Sequence, residues 1–139
     1  MRVLIDTNII LDFLLQREPF FQNADLLFQE IDSGRVVGYV TATTLTDIFY
    51  VARRQTGSIE QARQAILETL TAMVICPVNR AILESAFASN LTDFEDAVQI
   101  ACAVAQGLDA VTTRDTDFSS TLISVLTVEE VLQQLEAGE

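Results

Sequence analysis

Short apolar runs rich in β-branched residues alternate along this chain with stretches whose apolar residues recur three and four positions apart, a pattern that predicts strands and helices in turn. Residues 2–6 (RVLID) read as a buried strand, residues 8–16 as a helix, and Gln16-Arg17-Glu18-Pro19 as a break. A second helix over 20–33 carries Phe20, Ala24, Leu27, Phe28 and Ile31 on one face, and Gly34 stops it. Residues 36–41 (VVGYVT) read as the second strand, residues 43–54 as a helix, and Gln55-Thr56-Gly57 as a turn. Ser58 with Gln61 makes a capping box for a helix to about residue 72, followed by a third strand over 73–78 (MVICPV). Asn79 caps a helix to about residue 89, and Thr92 with Glu95 makes a capping box for another that ends near Gly107. Residues 109–113 (DAVTT) and 122–126 (LISVL) supply a fourth and a fifth strand, and Thr127 with Glu130 caps the last helix. Strands alternating with helices imply parallel pairing with helical crossovers. The expected fold is α/β: a three-layer α/β/α sandwich around a central parallel sheet of four to five strands. Such sheets bind ligands beyond the C-terminal ends of their strands, so chemistry is expected there.

The bulk composition narrows the classes. The 139 residues fit one domain spanning 1–139, with no internal repeat, linker or low-complexity run. Half the residues are hydrophobic, yet no apolar run approaches the roughly 20 residues needed to span a bilayer. Asp6, Asn8 and Asp12 interrupt the first apolar stretch, so no signal peptide is expected and a cytoplasmic home follows. Cys76 and Cys102 sit in apolar surroundings (VICPV and IACAVA) and read as buried structural thiols. With no histidine and two cysteines, a conventional zinc site and His-dependent nucleophilic catalysis are excluded. The net charge is −12, carried against eight arginines and no lysine. Lysine's absence excludes a Walker-type NTPase and a Schiff-base enzyme. The acidity argues against a broad basic nucleic-acid surface, so any nucleic-acid chemistry needs bound cations, local arginines or a basic partner.

The acids themselves fall in a pattern. Asp6 ends the first strand, where it either caps the next helix or projects from the sheet edge as a functional group. Asp47 lies one turn into the helix after the second strand, in TATTLTDIFYVARR. Asp93 and Asp96 are three apart and share a helix face, with Glu95, assigned to the capping box, between them. Asp115 and Asp117 follow the fourth strand in VTTRDTDF, in a segment that also suits a turn. All these positions lie at C-terminal strand ends or in the first turns of the following helices. Carboxylates gathered there would repel one another unless a hard divalent cation neutralised them. Oxygen-only donors suit Mg²⁺ or Mn²⁺, as one or two ions, and such a site can activate water and clamp a phosphodiester.

These segments resemble the PIN domain family, and most of all its VapC-type toxin ribonucleases. The resemblance runs through LIDTNIILDFLL, TATTLTDIFYVARR, DFEDAVQIACA and VTTRDTDF, in that order, over nearly the whole chain. It implies acidic catalytic and metal-binding positions at Asp6, Asp47, Asp96 and, in the TRDTDF loop, Asp115 or Asp117. The family's second acid is usually glutamate, and here its position holds the shorter Asp47. Asn8 and Thr113 match supporting polar positions, and Asp93 joins them. Asp12 recurs in similar sequences and reads here as a solvated helix position. Arg114 is placed to touch a phosphate or to bridge Asp115 or Asp117. Arg53 and Arg54 end a helix. The resemblance further implies cleavage of single-stranded or structured RNA to 5′-phosphate and 3′-hydroxyl ends, a homodimer, and a small antitoxin whose basic tail plugs the acidic site.

Rival readings are weaker. A haloacid-dehalogenase-type phosphatase needs a second aspartate two residues after the nucleophile, where this chain has Asn8. A receiver domain needs a lysine that is absent. From a different class, a catalytically silent PIN-like interaction module remains the alternative, since Asp47 departs from the family's glutamate and the charge is strongly negative.

Overall fold

A computed structural model of the protein describes residues 1–138. Its elements run in the order β1 (Arg2–Ile5), α1 (Thr7–Leu14), α2 (Phe21–Asp32), β2 (Val37–Thr41), α3 (Ala42–Thr56), α4 (Ile59–Ala72), β3 (Val74–Cys76), α5 (Arg80–Ala88), α6 (Phe94–Ala105), β4 (Ala110–Thr112), β5 (Ser124–Leu126) and α7 (Val128–Ala137). The five strands form one sheet in the order β3-β2-β1-β4-β5, and every pairing is parallel. The α/β expectation therefore holds, with five strands and seven helices among the described residues.

Strand β1 shows why the layers form. Val3, Leu4 and Ile5 are all fully buried, because a central parallel strand is covered on both faces. Alternation sends Val3 and Ile5 to one side, where they pack with residues of α1, α2, α3, α4 and α7. Leu4 goes to the other side, among residues of α5 and α6 such as Ala86, Val98 and Ile100. Side chains crowd one glycine of the sheet and would have to shift to admit a Cβ. A Cβ on Gly38 of β2 would lie 2.6 Å from the Met73 Sδ and 3.1 Å from the Ile31 and Ile5 Cδ1 atoms.

Chain order steps outward from β1 through β2 to β3 on one side, then continues from β4 to β5 on the other. The switch point thus lies between β1 and β4, whose C-terminal ends are the expected place for a ligand. The β4–β5 connection, residues 113–123, contains no helix although the strands are parallel. Helix boundaries follow their caps. Thr41, Ser58 and Asn79 each accept a backbone N–H from three residues on, and Thr127 with Glu130 forms a complete capping box.

Three expectations are corrected. Gln55 and Thr56 are the last turn of α3 rather than a turn, and Gly57, at φ 67°, ends that helix. Thr92 and Glu95 do not form the cap of α6. Asp93 does so, its side chain accepting from the Asp96 N–H. Asp12 is not solvated: it is 1% exposed and ion-paired to Arg17 and Arg114. Cys76 and Cys102 are free and buried, as read, and burial pushes both thiols up to about 11. Among the described residues no helix is long and apolar enough to cross a membrane.

Candidate functional site: an acidic cluster at the sheet's switch point

Asp6 leaves β1 with extended φ/ψ at the N-cap position of α1, but its side chain does not cap. Both carboxylate oxygens are used across the molecule instead. Oδ1 accepts from the Gln99 Nε2 at 3.1 Å, and Oδ2 accepts from the Thr113 hydroxyl at 2.8 Å. The Asp6 N–H also donates to the Thr112 carbonyl at 3.0 Å, which ties the end of β1 to the end of β4. Asp6 is 9% exposed, so it faces the site from a nearly closed socket.

Gln99 escaped the sequence reading. It is 1% exposed, and its Oε1 has no hydrogen-bond partner. The available signal was spacing: Gln99 follows Asp96 by three positions and so shares its helix face. Thr113 donates to Asp6, and its Oγ1 accepts the Asp115 N–H at 3.1 Å. Asp115 in turn accepts the Asp117 N–H on Oδ1 at 2.9 Å, an Asx-turn that shapes the loop after β4.

Asp47 is brought in from α3 by a chain of hydroxyls. Thr41 accepts the Thr44 N–H at 3.3 Å, Thr41 and Thr44 share a hydrogen bond at 3.1 Å, and Thr44 meets Thr7 of α1 at 3.0 Å. This buried triad fixes the start of α3 against the start of α1, and Asp47 lies one turn on from Thr44. Because Asp93 rather than Thr92 caps α6, Glu95 is free of capping and shares a hydrogen bond with Asp47. Two carboxyl groups can share a hydrogen bond only if one holds a proton. Accordingly Glu95 is raised to about 7, first by the bond to Asp47, then by burial and by the charges of Asp47, Asp6 and Asp93. Asp96 is raised to about 6, first by burial and then by Asp93, Asp6 and Asp115.

Six carboxyl groups are thus linked through these two: Asp47, Asp6 and Asp93 act on Glu95, and Asp93, Asp6 and Asp115 act on Asp96. Asp117 does not figure among the charges acting on either raised group, and it is exposed. Asn8 is exposed at the edge, its Oδ1 accepting from Arg17 at 3.3 Å. Arg114 neither meets the acids of its own loop nor points free for a phosphate. It pairs with Asp12, at 2.8 Å from Nε to Oδ2, and lies 3.9 Å over the Phe20 ring. Among the described residues the ion pairs are those of Asp12, of Glu30 with Arg35 and of Glu84 with Arg80, so no cation neutralises the six.

The donor set fits a hard divalent cation in type and charge. Every candidate donor is an oxygen, and two of the acids are already raised, Glu95 first by its bond to Asp47 and Asp96 first by burial, with the charges of neighbouring carboxylates adding to both. As placed, no group of three or more acidic side chains among the described residues is arranged to hold one ion, so binding would require side-chain rotations.

The family model of the PIN domain matches residues 2–117. No curated protein sequence matches the chain. Among solved structures, the chain is similar to the sarcin–ricin loop cleaving toxin VapC20 of Mycobacterium tuberculosis (18% identity, 84% of this chain and 92% of that one, TM-score 0.69). It is also similar to a chain of a toxin–antitoxin complex from Klebsiella pneumoniae (21% identity, 91% and 97%, TM-score 0.67). A third is a chain of VapBC2 from Rickettsia felis bound to a promoter DNA fragment (13% identity, 91% and 98%, TM-score 0.65). At these identities the likeness is one of fold.

Proposed function

The chain belongs to the PIN domain family, and from that premise we propose that it is a divalent-metal-dependent ribonuclease, the toxin of a toxin–antitoxin pair. The observation that carries the reading is the gathering of six carboxyl groups at the switch point with no cation among them. Asp6, Asp96 and Asp115 are the principal ligands, with Asp47 joining them. Glu95 is added to the set because it partners Asp47 and offers the longer reach that the family's usual glutamate would have. Asp117 takes the outer role of shaping the loop. The chemistry supplied there by bound Mg²⁺ or Mn²⁺, as one or two ions, is water activation and neutralisation of charge on the phosphodiester. The chain's own residues orient and shield: Gln99 and Thr113 fix both oxygens of Asp6, and Asp93 holds the first turn of α6 beneath Asp96.

The substrate class is single-stranded or structured RNA, in keeping with the sarcin–ricin loop cleavage named for the mycobacterial neighbour. A basic antitoxin suits a protein of net charge −12, and neighbours solved as toxin–antitoxin complexes support that partner. A homodimer, a cytoplasmic home and a single domain over 1–139 complete the proposal.

The test is cleavage of a mixed RNA pool with Mg²⁺ or Mn²⁺, beside an EDTA control and the Asp6→Asn and Asp96→Asn variants. Cutting that needs metal and falls by at least about 100-fold in both variants is expected, given what loss of a metal ligand or its orienting shell costs. Metal-loaded, folded protein that cuts nothing would favour the rival, a PIN-like interaction module, for which the engagement of Asp47 with Glu95 is the specific argument.

A further inference from the structure

The loop after β4 carries Thr113 and Asp115 into the acidic cluster, yet its connection to β5 contains no helix to stiffen it. Among the described residues, its side-chain hydrogen bonds to other elements are two: Thr113 to Asp6, and Arg114 to Asp12. The second is unusual. Asp12 sits on α1 at 1% exposure, within a helix whose other buried residues are mostly aliphatic. Its Oδ2 accepts from the Arg114 Nε at 2.8 Å, and its Oδ1 from the Arg114 terminal nitrogen at 3.3 Å, a two-point grip that sets the direction of the guanidinium as well as its place. Arg17 approaches the same Oδ1 at 2.9 Å and donates onward to the Asn8 carbonyl at 3.1 Å. The Phe20 ring closes the other side of the Arg114 guanidinium at 3.9 Å.

From this geometry we infer that Asp12 is a positioning residue for the metal site, acting through Arg114 to hold Thr113 and Asp115 where the carboxyl groups meet. The inference rests on the metal-site reading above. Arg114 is the residue between the two that matter: Thr113 donates to Asp6, and the charge of Asp115 acts on Asp96. A loop released from Asp12 keeps its Asx-turn and the buried Phe118, but loses the tie that fixes its first residues against α1. The same bond keeps the Arg114 charge turned to Asp12 rather than into the cluster, where it would compete with a cation.

The discriminating variant is Arg114→Gln, whose side chain is partly exposed and whose loss need not unfold the protein. Removing a positive charge beside an acidic site should by Coulomb attraction alone tighten a divalent ion. A positioning role gives the opposite sign. The experiment titrates the full chain with Mn²⁺, reads free Mn²⁺ by electron paramagnetic resonance, and confirms folding by circular dichroism at the same temperature. About tenfold weaker Mn²⁺ binding is expected in Arg114→Gln and in Asp12→Asn, the scale found when residues that orient metal ligands are removed. The double variant should bind no more weakly than the weaker single, because the two act as one device. Arg114→Lys, which keeps charge but not the two-point grip, should recover only part. Val131→Ala, a fully buried core residue on α7, supplies a destabilised control whose affinity should match wild type. Wild-type or tighter affinity in Arg114→Gln would overturn the inference. Absence of Mn²⁺ binding by the wild type would overturn both the metal-site reading and this one, and so would be told apart from the first result.

Discussion

Asp12 and Asp96 are both aspartates on helices beside the same sheet, and their surroundings are opposite. Asp12 is sealed from water and meets two guanidinium groups. Asp96 is only part-buried and is acted on by the charges of three other carboxylates. The first arrangement meets the cost of desolvating a charge inside the chain itself; the second leaves charge unbalanced where solvent can still enter. A structural acid brings its own cations, and an acid waiting for a ligand does not. The difference is the physical ground for proposing Asp96, and not Asp12, as a metal ligand.

The largest effect should come from breaking the satisfied side. Asp12→Ala strips two arginines of their partner and is expected to cost about 3 kcal/mol. That is the low end for a disrupted buried pair, because both guanidinium groups keep part of their surface in water. Urea unfolding of variant and wild type at neutral pH measures it. The next effect sharpens the unsatisfied side. Gln99→Leu removes the amide that holds the Asp6 Oδ1, and cleavage should fall by about tenfold with little change in the folded spectrum, as for other residues that orient a metal ligand.

A smaller effect has the reverse sign from Asp12. Glu95 rises from 4.5 to about 7 and Asp96 from 3.8 to about 6 on folding. Between those values the native chain binds more protons than the unfolded one, so stability contributed by these groups falls as pH climbs from about 4 to about 7. Without metal, Tm should therefore decline across that window. Glu95→Gln should flatten the decline, and at pH 7.5 should raise Tm by about 1–3 °C, a modest gain because both groups retain solvent. Differential scanning calorimetry across pH 4–8 checks both signs. Added Mg²⁺ should raise the wild-type Tm at pH 7.5 and raise that of Glu95→Gln less, by linkage to the bound state.

Much of this was legible in sequence. The β1 run RVLI, the capping residues Ser58, Asn79 and Thr127, and the acids at strand ends each carry a local signal that the structure repeats. Two misreadings have physical causes. Thr92 and Asp93 are adjacent and both cap well, so sequence could not choose the register. The choice of Asp93 releases Glu95 toward Asp47 and enlarges the site. Asp12 was read as solvated although α1 is apolar nearly all round, the mark of a buried helix in which a charge must have partners. One of those partners, Arg114, lies 102 residues away, a pairing that only the fold supplies. Gln99 was invisible for the same reason: its donor role exists only once α6 lies against the end of β1.

The most direct measurement follows side-chain carboxyl ¹³C resonances by NMR as the apo chain is titrated with Mg²⁺ at pH 7.5. Metal binding at the cluster should give saturable shifts at Asp6, Glu95, Asp96 and Asp115, and none at Asp12, whose oxygens are already taken by arginine. Saturation at exposed acids elsewhere, such as Glu84, with the cluster unmoved would contradict it.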